Sequence, residues 1–437
     1  MHDQIELSRY RYGWIISLVV CLIPLVLWYT AHPASYFFGS DEAVYRLLAK
    51  TCSLVGTAAF AWSLVLSARP RIVEGWFNGL DKMYQVHRWL GVTAFSLLLL
   101  HPVFLTFKFD ARSPGSANQL WFSSNMAYNL GIFALASMIV LILGTVFIRL
   151  HHQQFIALHR FLGVVFVIGA SHAMLVSAEM AHNRPLQLYM LVLMGLATLC
   201  YLYYTVLGQI LIRRFRYRVV AVHRPTPTVV EAVLSREGRR AMIFTPGQFA
   251  FVKFDQPGLD SEAHPYSIAS GNRQNGLSFV VKALGDDTTN LLKLKVGTRA
   301  IVEGPYGRFS YLNAAHRRQV WIAGGIGITP FLSMARSLRS GRYEIDLYYC
   351  TKDQAEASYS HELRQISRRH PRLRLINRAE AQEGFLTVAD IAKQTGDLHK
   401  AEIFICGPGP MLAGLTKQLK AVGIADKQIH YEEFSMS

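Results

Sequence analysis

Hydrophobic positions are spread unevenly along the chain, with long unbroken apolar runs in its first half and short alternating runs in its second. Six runs, at 13–29, 43–66, 86–107, 126–148, 159–176 and 186–212, approach or exceed bilayer-spanning length. About 20 residues at about 1.5 Å rise cross a hydrocarbon core of roughly 30 Å, so each predicts a transmembrane helix. The second run is the least uniform, because Arg46 and Lys50 lie near one end of it.

Beyond residue 213 the pattern shortens. β-type runs at 219–222, 228–234, 248–254 and 277–282, separated by Pro and Gly turns, predict a small antiparallel barrel. From Gln319 the order becomes strand, glycine turn and helix, with strands expected at 320–323, 344–349, 373–377 and 402–406. That alternation predicts a parallel α/β nucleotide-binding domain. The expected division is 1–212 for the membrane bundle, 213–316 for the barrel and 317–437 for the nucleotide domain.

Charge gives the spans a direction. Arg9, Arg11, Arg69, Arg71, Lys82, Arg149, Arg160 and the cluster of arginines at 213–218 fall on one side of the six spans, while the other side carries chiefly Arg46, Lys50, Lys108, Arg112 and Arg184. The positive-inside rule then makes both termini cytoplasmic and sends the third and fifth spans outward. The net charge of +16 sits largely beside the spans, which favours anionic lipid headgroups and phosphate cofactors over nucleic acid as partners. The five cysteines show no CxxC spacing, so no disulfide framework or zinc site is implied. No cleavable signal is evident, and the first span would serve as an uncleaved anchor.

Two apolar spans nearly repeat one another. His87-Arg88-Trp89-Leu90-Gly91-Val92 is followed by His101, and His159-Arg160-Phe161-Leu162-Gly163-Val164 by His172. A buried imidazole needs a hydrogen bond or a metal, and two matched pairs on two helices look like ligands for two hemes, His87 and His159 inside, His101 and His172 outside. Fourteen positions return a helix to nearly the same face, whereas thirteen miss it by about 140°, so the fifth span needs a distortion or a differently angled heme. Gly163 and Gly169 offer either close approach of a porphyrin or helix packing. Arg88 and Arg160 can pair with propionates, mark the cytoplasmic edge, or do both. Phe166, midway between His159 and His172, is a candidate bridge between the hemes or a core side chain.

The soluble half carries its own candidates. Pro246-Gly247-Gln248-Phe249 and His264-Pro265-Tyr266-Ser267 bracket an expected flavin site, with Tyr266 for the ring and ribityl chain, Ser267 for the flavin N5 edge and His264 for the pyrophosphate. Val281, Lys282, Thr288 and Thr289 form a second contact line, the threonines lying near a helix start that either attracts phosphate or is simply capped. Gly324, Gly325, Gly327, Thr329 and Pro330 follow an apolar strand and open a helix, where glycine lets backbone approach a pyrophosphate. Cys406, Gly407 and Pro408 end a later strand and would put a small thiol at the nicotinamide end. Phe434, near the terminus, is a candidate cover for the flavin.

In this order the motifs resemble those of the NADPH oxidase and ferric reductase superfamily, most of all its compact prokaryotic NADPH oxidases, over nearly the whole chain. The resemblance implies a ferric reductase-like six-helix bundle with bis-histidine b-type hemes on the third and fifth helices, fused to a ferredoxin-NADP-reductase-like module. His264-Pro265-Tyr266-Ser267 resembles the family's His-Pro-Phe-Thr flavin motif, residues 324–330 and 406–408 its nicotinamide-site motifs, and Phe434 its flavin-stacking aromatic. The implied activity passes electrons from cytosolic NADPH through FAD and two hemes to O2 outside the plasma membrane, producing superoxide. Arg46 resembles a family arginine at the outer heme, and Lys50 lies one turn away.

There are departures. Leu105 stands where eukaryotic oxidases of the family carry a further histidine, which keeps ferric chelates open as the acceptor. An electron-supply role for an extracytoplasmic redox protein is also open, although short outer loops offer little docking surface. Lys352 can meet a 2′-phosphate while Asp353 beside it repels one. No EF-hand spacing is present, and no obligatory protein subunit is evident.

Overall fold

The computed structural model describes residues 4–77, 79–113, 122, 124–148, 152–176, 183–208, 214–238, 240–260, 262–339 and 341–433. It forms two compact units, residues 9–212 and a unit built chiefly of residues 213–437.

The first unit is helical: α1 (Gln4–Tyr29), α2 (Ser35–Phe38), α3 (Asp41–Ser67), α4 (Arg71–Phe77), α5 (Leu80–Arg112), α6 (Met126–Phe147), α7 (His152–Arg160), α8 (Leu162–Val176) and α9 (Arg184–Tyr201), which runs on into a π-helical turn at Leu202–Val206. Six membrane spans arise from these among the described residues, the fifth running through α7 and α8. The second span is the central post, with 61% of its apolar window buried against 11% for α5 and for α6. Its small residues make that possible, since a Cβ on Gly56 would stand only 3.0 Å from Leu98 of α5.

Polar backbone in the bundle is met by neighbouring spans. Pro24 has no N–H to offer the carbonyl of Val20 one turn earlier, and the Tyr189 hydroxyl of α9 donates to that oxygen at 2.7 Å. Asn183 caps α9 by accepting from Leu186 N and donates to Leu27 O at 2.9 Å. The fifth span is interrupted at Phe161, between its two histidines, where Phe161 N donates to Leu158 O three residues back.

The second unit begins with an antiparallel sheet of β1 (Arg214–Thr226), β2 (Val229–Arg236), β3 (Phe249–Asp255), β4 (His264–Ser267), β5 (Leu277–Lys282) and β6 (Arg299–Tyr306), in the order β4-β3-β6-β1-β2-β5. A bridge between Ile268 and Phe279 joins the two ends and closes a barrel around Val219, Leu234, Val252, Phe279 and Val302. A parallel sheet follows, β7 (Arg318–Gly324), β8 (Glu344–Thr351), β9 (Leu373–Ala379), β10 (Glu402–Gly407) and β11 (Ile429–Glu433), in the order β11-β10-β7-β8-β9. Strand order reverses between β7 and β10, the place where parallel α/β sheets bind ligands.

The two sheets are stapled together by Arg336, at the end of the helix after β7. Its guanidinium takes both oxygens of Glu362, reaches Glu231 of β2 at 3.1 Å and donates to Ala269 O and Ser278 Oγ of the barrel.

Candidate functional site

In the membrane unit, three of the four histidines are tied to backbone carbonyls of another helix. Nδ1 of His87 lies 2.9 Å from Ser63 O and Nδ1 of His101 2.9 Å from Ala49 O, both on α3, while Nδ1 of His172 lies 2.7 Å from Ala127 O on α6. A carbonyl can only accept, so each Nδ1 carries the proton and each Nε2 keeps its lone pair. This is the arrangement in which an outer partner fixes a metal-ligating imidazole. His87 and His101 are fourteen apart on α5, as are Ala49 and Ser63 on antiparallel α3, so one helix serves as a carbonyl rack for the other.

His159 closes on His87 with ring centroids 6.2 Å apart and tilted by 70°, and it stacks on Phe155 of its own helix. Arg88 and Arg160 are exposed beside these histidines. Between the two histidine levels Phe166 is buried and packs edge-on to Phe60 of α3 at 5.1 Å. A Cβ on Gly163 would strike the Tyr201 ring, so this glycine admits that ring, while one on Gly169 would stand at an ordinary 3.8 Å from Ala134. Toward the other end of α3, Arg46 donates to Tyr36 O at 2.6 Å and lies 4.0 Å over the Tyr36 ring, and its buried Nε has no hydrogen-bond partner among the described residues. The donor set suits heme: bare Nε2 atoms on apolar helices, with arginines beside them for carboxylates.

In the second unit, glycine roles divide. A Cβ on Gly324 would meet Met411 Sδ at 2.6 Å and Pro408 at 2.9 Å, and one on Gly327 would lie 2.1 Å from Cys406 O. These two glycines therefore let the turn after β7 lie directly on 406–408, bringing the two motifs together. Gly325 holds a φ of +54° with open space beside it and lines a cleft shared with Thr226, Thr228, Lys282, Glu356 and Ser358. Thr329 is buried and donates to Ile326 O at 2.6 Å, which fixes the same turn, and Pro330 starts the helix after it.

Cys406 is fully buried at the end of β10, level with Glu432 of β11. Burial, reinforced by the Glu432 carboxylate, pushes its thiol well above the ordinary range, so it is a neutral donor at physiological pH. Glu432 carries no motif of its own, and the parallel register of β10 and β11 alone sets it opposite the thiol.

On the barrel, Ser267 Oγ is buried and has no hydrogen-bond partner among the described residues. Tyr266 and Pro265 stand beside it on β4, paired with Ala250 and Phe251. His264 turns its Nε2 to Asp260 at 2.7 Å, so the imidazole is oriented by an acid.

The second contact line changes character. The Val281 side chain belongs to the barrel core, and Lys282 reaches across the cleft to Glu356 at 3.4 Å. Thr288 Oγ1 accepts from the N–H groups of Leu284 and Gly285 and donates to Gly285 O, so its hydroxyl is spent on capping, and Thr289 follows in the same short helix. Lys352 is exposed just past β8. Phe434 lies outside the described residues.

Comparison with known proteins agrees with this layout. Residues 52–170 match the family described as ferric reductase like transmembrane component, residues 214–310 an FAD-binding domain and residues 321–417 an oxidoreductase NAD-binding domain. The chain has the architecture of the NADPH oxidase and ferric reductase superfamily. It joins a ferric reductase-like transmembrane domain, with six helices long and apolar enough to cross a membrane among the described residues, to FAD- and NAD-binding oxidoreductase domains.

Among curated relatives, the ferredoxin reductase component of 3-ketosteroid-9-alpha-monooxygenase from Mycobacterium tuberculosis is 30% identical over 203 residues, covering 45% of this chain and 56% of that protein. A flavohemoprotein from Xylella fastidiosa is 28% identical over 200 residues, covering 43% and 50%. The chain thus spans about half the length of the curated relatives it matches. Among solved structures, the flavohem-like FAD/NAD-binding domain of a nitric oxide dioxygenase from Vibrio cholerae is 22% identical with a TM-score of 0.45, covering 50% of this chain and 98% of that one.

Proposed function

We propose that the protein is an NAD(P)H oxidase-type flavocytochrome of the plasma membrane, with both termini cytoplasmic and O2 reduced to superoxide on the outer side. When bound, FAD would supply the conversion of a hydride into single electrons, and two b-type hemes would supply one-electron carriers across the bilayer. His87 and His159 would hold the inner heme, and His101 and His172 the outer. The observation that carries this reading is the row of Nδ1-to-carbonyl bonds, which leaves Nε2 bare on three of the four histidines.

The chain's own residues divide the work. The turn at Gly324, Gly325 and Gly327 and the segment at 406–408 would seat the nicotinamide nucleotide at the strand-order reversal. Cys406 keeps its proton and packs there as a small neutral group. Ser267 would donate to the flavin edge, with Tyr266 beside it, and His264, oriented by Asp260, would face the flavin pyrophosphate. Arg46 would draw a small anion toward the outer side, and Arg88 and Arg160 would pair with propionates.

The test is NADPH consumption by purified protein in detergent with oxygen as sole acceptor, read together with dismutase-sensitive dye reduction. Rapid, dismutase-sensitive turnover is expected. Slow turnover with oxygen and rapid turnover with ferric chelates would replace superoxide production with chelate reduction, and fast heme reduction reoxidised by neither would point to a protein acceptor.

A further inference from the structure

His172 differs from His87 and His101 in what lies one turn beyond its carbonyl partner. Ser63 and Ala49 are followed four residues later by Ser67 and Ser53, but Ala127 is followed by Gly131. A Cβ on Gly131 would stand 2.6 Å from Cε1, 2.7 Å from Nδ1 and 2.8 Å from Nε2 of His172, all inside the 3.0 Å that real Cβ atoms keep. The imidazole therefore occupies the space where a side chain of α6 would be. That is what lets its Nδ1 reach Ala127 O at 2.7 Å, because residues four apart share one helix face.

Glycine is a poorer helix former than alanine, so its use here calls for a compensating contact. Gly144 on the same helix shows the contrast, since its Cβ would meet Leu158 at an ordinary 3.4 Å. We propose that Gly131 is a positioning residue for the outer site: by having no side chain it seats the His172 ring flat on α6 and so sets the direction of the bare Nε2. The proposal rests on the reading of His172 as a heme ligand.

The test uses the full-length protein purified in detergent. Heme is counted per flavin, and each heme is followed by electron paramagnetic resonance of its oxidised low-spin iron and by redox titration. Gly131→Ala is expected to lower the heme-to-flavin ratio about two-fold, or to move the g-values and midpoint potential of one heme while the other stays unchanged. Changes in the outer shell of a metal ligand commonly cost about 10–100-fold in affinity, which suffices for either result. Gly144→Ala should match wild type. If Gly131→Ala prevents assembly, the double variant Gly131→Ala/His172→Ala, which lacks the obstructing ring, should assemble and keep one heme.

Wild-type heme content, g-values and potentials in Gly131→Ala overturn the proposal, as does a double variant that assembles no better than the single one. Failure of the heme reading is visible separately, as a wild type without two hemes or as His172→Ala retaining both.

Discussion

The two units hold their functional groups by different means. In the membrane unit the histidines are fixed by main-chain carbonyls of α3 and α6. In the second unit side chains are held by carboxylate partners, as Arg336 with Glu231 and Glu362, Lys282 with Glu356, and His264 with Asp260 show. The difference follows from the solvent. A charged partner in hydrocarbon carries a heavy desolvation cost, whereas a helix carbonyl is already present with a second lone pair to offer. Next to water, ion pairs are affordable and can reach between domains.

Removing a histidine should have the largest effect. His101→Ala or His172→Ala is expected to remove about half of the heme b absorbance while flavin content stays constant; unchanged heme content would refute the assignment. The counterpart in the second unit is Arg336→Ala, which takes the cation from the buried Glu231 carboxylate at the seam between barrel and nucleotide domain and leaves it the Tyr359 hydroxyl. Breaking a buried pair costs about 3–5 kcal/mol, so flavin release on heating should move down by about 10 °C. A membrane unit that keeps its heme spectrum in that variant would sharpen the contrast between the units, and a joint loss would break it.

Ser267→Ala should weaken FAD binding by roughly two- to ten-fold, the worth of one hydrogen bond, with little change in the flavin-free protein because the hydroxyl has no internal partner there. Equal flavin affinity in titrations would remove Ser267 from the site.

The smallest effect concerns Glu402 at the base of β10, which accepts from His316 Nδ1 at 2.6 Å and pairs with His430 Nε2 at 2.7 Å. Burial pushes its carboxyl up, but the two imidazoles outweigh that and hold it below its ordinary value of 4.5. A lowered folded value means that the stabilisation is complete above the unfolded carboxyl's pKa and fades as pH falls through the folded one. The melting difference between wild type and Glu402→Gln should therefore be constant near neutrality and shrink in acid below about pH 4.5. A difference that grows in acid would show that the carboxylate is not the stabilising form.

Much of the layout was legible before the fold. The six spans announce themselves because lipid demands long apolar helices, and β1, β2, β3 and β5 because they are short runs of β-type residues between Pro and Gly turns. Other elements were not. β6 carries Gly304 and Pro305 inside the strand, and β4 is only four residues long, so neither offered a clear period. Nothing in the local sequence shows that the Tyr201 ring lies where a side chain on Gly163 would be. Nor does it show that the Val281 side chain packs in the barrel core while the Thr288 hydroxyl caps its helix.

The sequence by itself determined that there are membrane spans, matched histidine pairs, an antiparallel barrel and a parallel nucleotide-type sheet, because solvent and local periodicity act on each segment alone. Tertiary structure decided which main-chain oxygen faces each imidazole, that Gly324 and Gly327 serve the approach of one strand end to another, and that Glu432 stands level with Cys406. Those are relations between distant segments. A backbone carbonyl or a missing Cβ leaves no distinctive mark in the residue that uses it, so only the fold can show what it does.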